Sequence, residues 1–373
     1  MHIALVAPLV SVIHDDLSPL GGAQAFVGDL AHGLLAAGHR VTLLAANGSM
    51  IRGAAVPRLG IDAGQLSPAD FSRPGPRTDS VEQRQAFERI RAWLEASGAQ
   101  IDLVHGHAYD APCFPALRGL AMPVVHTLHL PPLDNEVVQA VRVAQTSARM
   151  ITVSRASERQ WRDQGVSVYD SIHAGLDLDE IPFEGQPGAF LLFAGRITPE
   201  KGPDQAIDVA AALGQSLLLV GEIYDRKYFE QVIAPRVSIE REWSMRSQVP
   251  HGATYIGSRT RSELLVVMSH ARGVLMPSLW DEPFGLVGIE AQATGTPVVA
   301  YRRGGLTEVV ADGETGWLVP ADDREEFRRR VSMLDTIDRR RCRLRIEEQF
   351  NIRRTVERYQ AVYEEALREG LGT

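Results

Sequence analysis

The sequence predicts two α/β domains in tandem, each a doubly wound parallel sheet, from three observations. Short apolar runs recur along the chain, and segments of helical period lie between them. The pattern stops across residues 177–188, which are rich in Pro, Gly and acidic side chains, and then begins again. At 373 residues the chain also exceeds what one core ordinarily organises.

In the first half, residues 3–8, 41–45, 103–107, 124–128 and 151–154 read as buried parallel strands. Between the first two, Phe26, Leu30 and Leu34 recur at helical spacing and give one apolar face. Gly38 closes that helix, and His39-Arg40 leads into the next strand. Strand, helix and strand in this order form a right-handed parallel crossover. Residues 57–76 read as loop and 81–96 as an amphipathic helix carrying Arg84, Arg89 and Arg91. These arginines suit an anionic acceptor or a solvated face, and surface charge is the norm. In the second half, residues 190–195, 217–221, 254–257, 274–277 and 297–300 are again short apolar strands, and 354–369 is a charged helix. The expected domains are 1–182 and 183–353, with a terminal helix, 354–373, packing across their junction. Ligands of doubly wound sheets bind beyond the carboxyl ends of the strands, so a cleft between the two domains is the expected site.

Composition narrows the function. Hydrophobic residues make up 45% and charged residues 23%, an ordinary globular balance. A net charge of −8 argues against a nucleic-acid partner, which calls for a basic face. Two cysteines, Cys113 and Cys342, make neither a disulfide framework nor a structural zinc site, so a cytoplasmic location is expected. The apolar N-terminal run lacks a basic flank and a small-residue cleavage site, which suits a buried strand better than a signal peptide. No apolar stretch approaches the roughly 20 residues of a membrane span. The expectation is a soluble protein.

The strongest motif runs through residues 277–300. An apolar strand ends at Pro277, a loop carries Asp281-Glu282, and Pro283 suits the first position of a helix. The amides of Phe284, Gly285 and Leu286 would then stand free at the positive end of the helix dipole, a site for a diphosphate. Glu290, about two turns on, would reach a ribose attached to that phosphate. Eight residues of helix span about 12 Å, too far for the paired carboxylates of a glycoside hydrolase. The alternative is a capping glutamate followed by a solvated one.

A second motif is the strand at 190–195 followed by Arg196 and Lys201 on one loop. A planar guanidinium and a point-like ammonium suit a diphosphate leaving group, most of all as its bond to a sugar breaks. Gly21-Gly22, after Leu20 at the opening of the first helix, permits close approach of backbone to a ligand. His105, His107, His126 and His129 fall at two strand ends. Neither a cysteine nor a clear carboxylate joins them and the spacing matches no standard zinc pattern, so no metal is expected. They read as a polar wall on the acceptor side, with His129 touching the transferred sugar; a structural role stands beside this for His105 and His107.

Taken together, these motifs resemble retaining glycosyltransferases of family 4, with the GT-B fold of two facing Rossmann-like domains. The likeness rests on Gly195-Arg196 with Glu200-Lys201-Gly202, on Glu282 and Glu290, on Gly304-Gly305 before Glu308-Val309-Val310, on Gly21-Gly22 and on His126-Thr127-Leu128-His129. It implies that Arg196 and Lys201 bind the diphosphate of a nucleotide-sugar donor of UDP or GDP type, Glu290 its ribose and Glu282 the sugar hydroxyls. Gly22 would bring an amide to the phosphate and His129 would meet the reacting carbon. Many members carry Glu where this chain has Gln24. The base would be read largely by main chain around Gly257, Ser258 and Arg259. The resemblance implies transfer with retention, usually without a bound metal or cofactor, to a small-molecule, glycan or lipid-head-group acceptor. A disaccharide phosphorylase or nucleotide-sugar epimerase on the same architecture is the rival reading, and a non-catalytic nucleotide-sugar binder a further one. Loss of Arg196 or Lys201 is expected to cost turnover far more than stability, as for side chains at an open cleft.

Overall fold

A computed structural model of the chain describes residues 1–15, 21–63 and 81–370. Leu20 and residues 64–76 of the expected loop lie outside the described residues. Contacts divide the chain into two units, 1–175 with 352–373, and 176–351. The division therefore falls at Gly175 and Leu176, seven residues before the expected boundary, and again at Asn351 and Ile352.

The first unit runs β1 (His2–Val6), α1 (Gly22–Ala36), β2 (Arg40–Leu44), α2 (Val81–Ser97), β3 (Leu103–Gly106), α3 (Cys113–Leu117), β4 (Val124–Leu128), α4 (Asn135–Ala144), β5 (Ala148–Thr152), α5 (Arg155–Asp163) and β6 (Val168–Ser171). Its strands pair in parallel in the order β2-β1-β3-β4-β5-β6. Such strands are covered on both faces, which is why they read as continuous apolar runs. Phe87, Ile90 and Leu94 of α2 pack with Val6, Leu44 and Val104, while Val138 and Val141 of α4 pack with Met150 and Trp161. Gly38 ends α1 as expected: at φ +84° it donates to the Leu35 carbonyl, and His39 to that of Leu34. β6 was not anticipated, because Tyr169 is exposed and Asp170 interrupts the apolar run.

The second unit runs β7 (Phe190–Ala194), α6 (Pro203–Ala212), β8 (Ser216–Val220), the single turn α7 (Arg226–Tyr228), β9 (Ser238–Ile239), β10 (Ala253–Tyr255), α8 (Arg261–Ser269), β11 (Gly273–Met276), α9 (Leu286–Ala293), β12 (Val298–Tyr301), α10 (Leu306–Val309), β13 (Gly316–Val319), α11 (Arg324–Ser332) and α12 (Arg339–Gln349). Its parallel sheet has the order β13-β12-β11-β7-β8-β10-β9. Leu191, Phe193, Leu217, Leu219 and Val299 join Phe327 and Val331 of α11 in its core. The short edge strands β9 and β13 were also missed, being too brief or too mixed to register as apolar runs.

The last helix, α13 (Ile352–Gly370), packs within the first unit. Ile352 and Val356 close on Gly33 of α1, where a Cβ would collide with both side chains. The Tyr359 hydroxyl lies 2.9 Å from Thr127 Oγ1, and that of Tyr363 lies 2.7 Å from His105 Nδ1.

Two points in this topology matter for ligands. Strand order reverses between β1 and β3 in the first sheet and between β7 and β11 in the second. Crevices open beyond the carboxyl ends of strands at such switch points.

Candidate functional site

The loops leaving β7 and β11 carry the two strongest sequence motifs, and the structure ties them together. A turn over Pro199–Lys201 ends at Gly202, whose φ of +69° suits glycine. A Cβ there would collide with the Pro277 carbonyl, so this glycine lets one loop lie against the other. Leu279 N–H donates to the Glu200 carbonyl at 2.8 Å. Across this seam Lys201 Nζ donates to Glu282 Oε1 at 2.5 Å, and the Ser278 hydroxyl donates to the same oxygen at 2.5 Å.

Glu282 is only 6% exposed. Burial pushes its carboxyl upward, but the Lys201 charge, with hydrogen bonds from Lys201, Ser278 and Trp280, outweighs this and leaves it below the ordinary value. Burial lowers the Lys201 ammonium, and Glu282 opposes the shift. Arg196 lies 3.5 Å from Glu200. The guanidinium carbon of Arg196 is 5.3 Å from the Tyr224 ring centre and 6.0 Å from that of Trp280, and Lys201 Nζ lies 4.7 Å from the latter. Two cations thus share one indole at the mouth of the sheet.

The helix expected from Pro283 begins instead at Leu286, with Gly285 as its cap at φ +106°. The cause is the Gly304-Gly305 turn. Had Pro283 been the first helical residue, the Glu282 carbonyl would have accepted the first intrahelical hydrogen bond; it accepts from Gly305 N–H at 2.7 Å instead. A Cβ on Gly304 would collide with Glu282 backbone, and one on Gly305 with Phe284. The 12 Å helical separation of Glu282 and Glu290 therefore does not apply. Of the three expected amides, that of Leu286 opens the helix, that of Gly285 caps it and that of Phe284 precedes it.

Glu290 is buried in α9, not solvated, and accepts from Arg261 Nε at 2.7 Å. Sequence reasoning missed this arginine. A signal was present: Thr260 and Glu263 form a capping box at the start of α8 and set Arg261 in its first turn. Gly257, Ser258 and Arg259 follow β10, and the Gly257 carbonyl accepts from Gly221 N–H at 3.1 Å. The Arg259 guanidinium donates to the carbonyls of Ser258, Arg241 and Trp243.

In the first unit Gly21 caps α1 and Gly22 begins it. The buried Gln24 side chain folds back over Gly21, where a Cβ would collide with its Oε1. Three of the four histidines lie together, the His107 ring centre 3.9 Å from that of His105 and 5.3 Å from that of His129. His105 is buried between Tyr363 and Thr127, the latter 2.8 Å from Nε2. His107 and His129 pair at 3.0 Å and pack against Phe26. His126 stacks on Phe114, with both ring nitrogens lacking a partner among the described residues. Burial pushes His126 and His129 down to about 3, and lowers His105 and His107 well below the ordinary value, so all four rings are neutral near pH 7. Among the described residues no group of three or more His, Cys, Asp or Glu is placed to hold a metal ion. Arg84 and Arg89 of α2 are exposed, as a solvated face requires, with Arg89 donating to the Gly60 carbonyl; Arg91 is half-buried and donates to those of Ala116 and Arg118.

Residues 20–180 match the family model described as Glycosyltransferase Family 4, and residues 179–347 the one described as Glycosyl transferases group 1. A D-inositol 3-phosphate glycosyltransferase of Nocardioides sp. is 31% identical over 284 residues, covering 65% of this chain and 61% of that relative. The match thus spans about three-fifths of that relative's length. Sucrose-phosphate synthase from Thermosynechococcus elongatus shares the fold at a TM-score of 0.76 and 22% identity, over 98% of both chains. Anabaena HepE, solved with UDP-glucose, does so at 0.72 and 18%, over 98% of this chain and 100% of that one. No helix among the described residues is long and apolar enough to cross a membrane.

Proposed function

This chain belongs to the group 1 glycosyltransferases of family 4, and from that premise we propose that it transfers a sugar from a nucleoside-diphosphate sugar to an acceptor hydroxyl with retention. The observation that carries the reading is the joined pair of loops at the β7/β11 switch point, with Lys201 paired to Glu282, Arg196 and Lys201 against Trp280, and α9 opening shortly after Glu282.

In this reading Glu200 and Glu282 hold the two cations in place before the donor arrives. The diphosphate then draws Arg196 and Lys201 to itself, aided by the amides at the start of α9. Glu282, relieved of its lysine, accepts from hydroxyls of the sugar. Glu290 takes the ribose, and main chain near Gly257 faces the base. As the bond between the anomeric carbon and the phosphate oxygen breaks, the cations and amides stabilise the departing charge, without need of a metal. The acceptor oxygen bonds to the same face of that carbon, and its proton passes to the leaving phosphate. His129 and the Gly21-Gly22 turn, near the reversal of the first sheet, are our assignment for the acceptor side. UDP is the first donor to test, since HepE was solved with UDP-glucose, and an inositol phosphate the first acceptor, after the Nocardioides relative's name.

A thermal-shift panel of UDP, GDP, ADP and their sugars tests the reading. One nucleoside diphosphate should stabilise the protein, and its sugar should release that diphosphate on turnover with an acceptor. If no nucleotide stabilises the protein and no donor releases its diphosphate, the reading is wrong.

A further inference from the structure

The Arg261–Glu290 pair joins the two helices α8 and α9, which pack side by side. We propose that Arg261 is a positioning residue for nucleotide recognition: it fixes the charge and orientation of the Glu290 carboxylate and so sets the preference for ribose over deoxyribose. The inference rests on the assignment of Glu290 to the ribose.

Three features support it. The backbone of Arg261 is held: Thr260 Oγ1 accepts from Glu263 N–H at 3.3 Å, and Glu263 Oε2 accepts from Thr260 N–H at 2.9 Å. The nearby cation Arg259 is committed to three carbonyls at 2.8, 3.0 and 2.9 Å, so on this loop Arg261 is the guanidinium that meets Glu290. The third feature is the burial of Glu290, 5% exposed and within the helix. A buried carboxyl without a cation is driven toward its neutral form. The ionised form is an acceptor only, which matches hydroxyl groups that donate, and its hydrogen bonds are the stronger charge-assisted kind. A planar guanidinium also restricts how the carboxylate turns, which a point-like ammonium does less well. Arg261 therefore governs a contact that it does not itself make.

A merely structural arginine would lower stability and overall affinity without changing which sugar the nucleotide must carry. The test is calorimetric titration of UDP and GDP, each against its 2′-deoxy and 3′-deoxy forms, on wild type, Glu290→Gln, Arg261→Met and Arg261→Lys. Wild type should prefer one ribonucleotide by about ten- to a hundredfold, the worth of a hydrogen bond to a charged acceptor. Glu290→Gln and Arg261→Met should each lose most of that preference, and Arg261→Lys should keep part of it. Arg261→Lys retains a cation beside the buried carboxylate and decides the matter if Arg261→Met does not fold. If Glu290→Gln abolishes the preference while the folded Arg261 variants keep it in full, the inference fails and the ribose assignment stands. If wild type shows no preference, or Glu290→Gln leaves it intact, the ribose assignment fails and the inference with it.

Discussion

Removing the Lys201 side chain is the sharpest perturbation the second unit offers, because it separates fold from chemistry. As a residue of an open cleft, Lys201 would cost turnover and little stability. Its pairing with a buried carboxylate changes that expectation. In Lys201→Ala, Glu282 keeps the Ser278 hydroxyl but loses its cation. Breaking a buried pair in this way costs about 3–5 kcal/mol. The side chains retain 18% and 8% exposure, which points to the lower end, about 3 kcal/mol. That is roughly a hundredfold in the folded-to-unfolded ratio. Lys201→Met with Glu282→Gln removes both charges and should recover to within about 1 kcal/mol of wild type, yet remain inactive. Acidity supplies an internal control. In wild type the carboxyl lies below its ordinary value, so its contribution is present at neutral pH and fades as pH falls through that lowered value. In Lys201→Ala the hydrogen bonds from Ser278 and Trp280 remain, but burial, the largest influence, now dominates and raises the carboxyl, so the penalty fades as pH falls toward 4 and the two stability curves converge. Urea unfolding at pH 7.5 and 4.5, beside donor turnover, reads all of this. A loss under about 1 kcal/mol in Lys201→Ala, or a double variant no more stable than the single, would refute the buried-pair argument.

Two further outcomes concern the buried histidines and the Gly304 turn. His126 and His129 stay neutral in the fold down to about pH 3, whereas the unfolded chain takes up protons near 6.5. First-unit stability should therefore fall on acidification, by about 2.5 kcal/mol between pH 6 and 5 for the two together. Denaturant titrations across pH 7 to 5 should show that slope, flattened in His126→Leu; a level profile would contradict it. Gly304→Ala places a side chain at φ +52° against the Glu282 backbone, and should cost about 2 kcal/mol or more together with activity. Gly38→Ala, at φ +84° with nothing within 4 Å, carries only the conformational cost of about 1 kcal/mol. Equal melting temperatures for the two variants would show that Gly304 does not brace the loop.

Local patterning was enough for much of this molecule. Ten of the strands announce themselves as apolar runs because parallel strands are buried on both faces. Gly38 fixes a helix end through a left-handed conformation that glycine adopts freely, a property of one residue and its neighbours. Arg196, Lys201 and Glu282, singled out as candidates on loops beyond the carboxyl ends of such strands, are brought together in the fold, Lys201 against Glu282 and both cations against Trp280.

What the sequence could not determine depends on contacts between distant segments. The α9 start moved to Leu286 because Gly305, 23 positions beyond Glu282, takes the carbonyl that would have begun the helix earlier. Arg261 meets Glu290 across 29 positions, and Tyr363 meets His105 across 258, burying a histidine for which the sequence left a structural and a functional role open. In α12, Arg339, Arg343 and Arg345 donate to the carbonyls of Ala271, Ala293 and Val309 at or beyond helix ends, contacts that no local pattern announces. Periodicity records which face of an element is apolar, and residue type records what chemistry a side chain can do. Which charge lies beside which, and which carbonyl is already taken, is decided only when the sheets and helices pack, because burial makes an unpaired group costly.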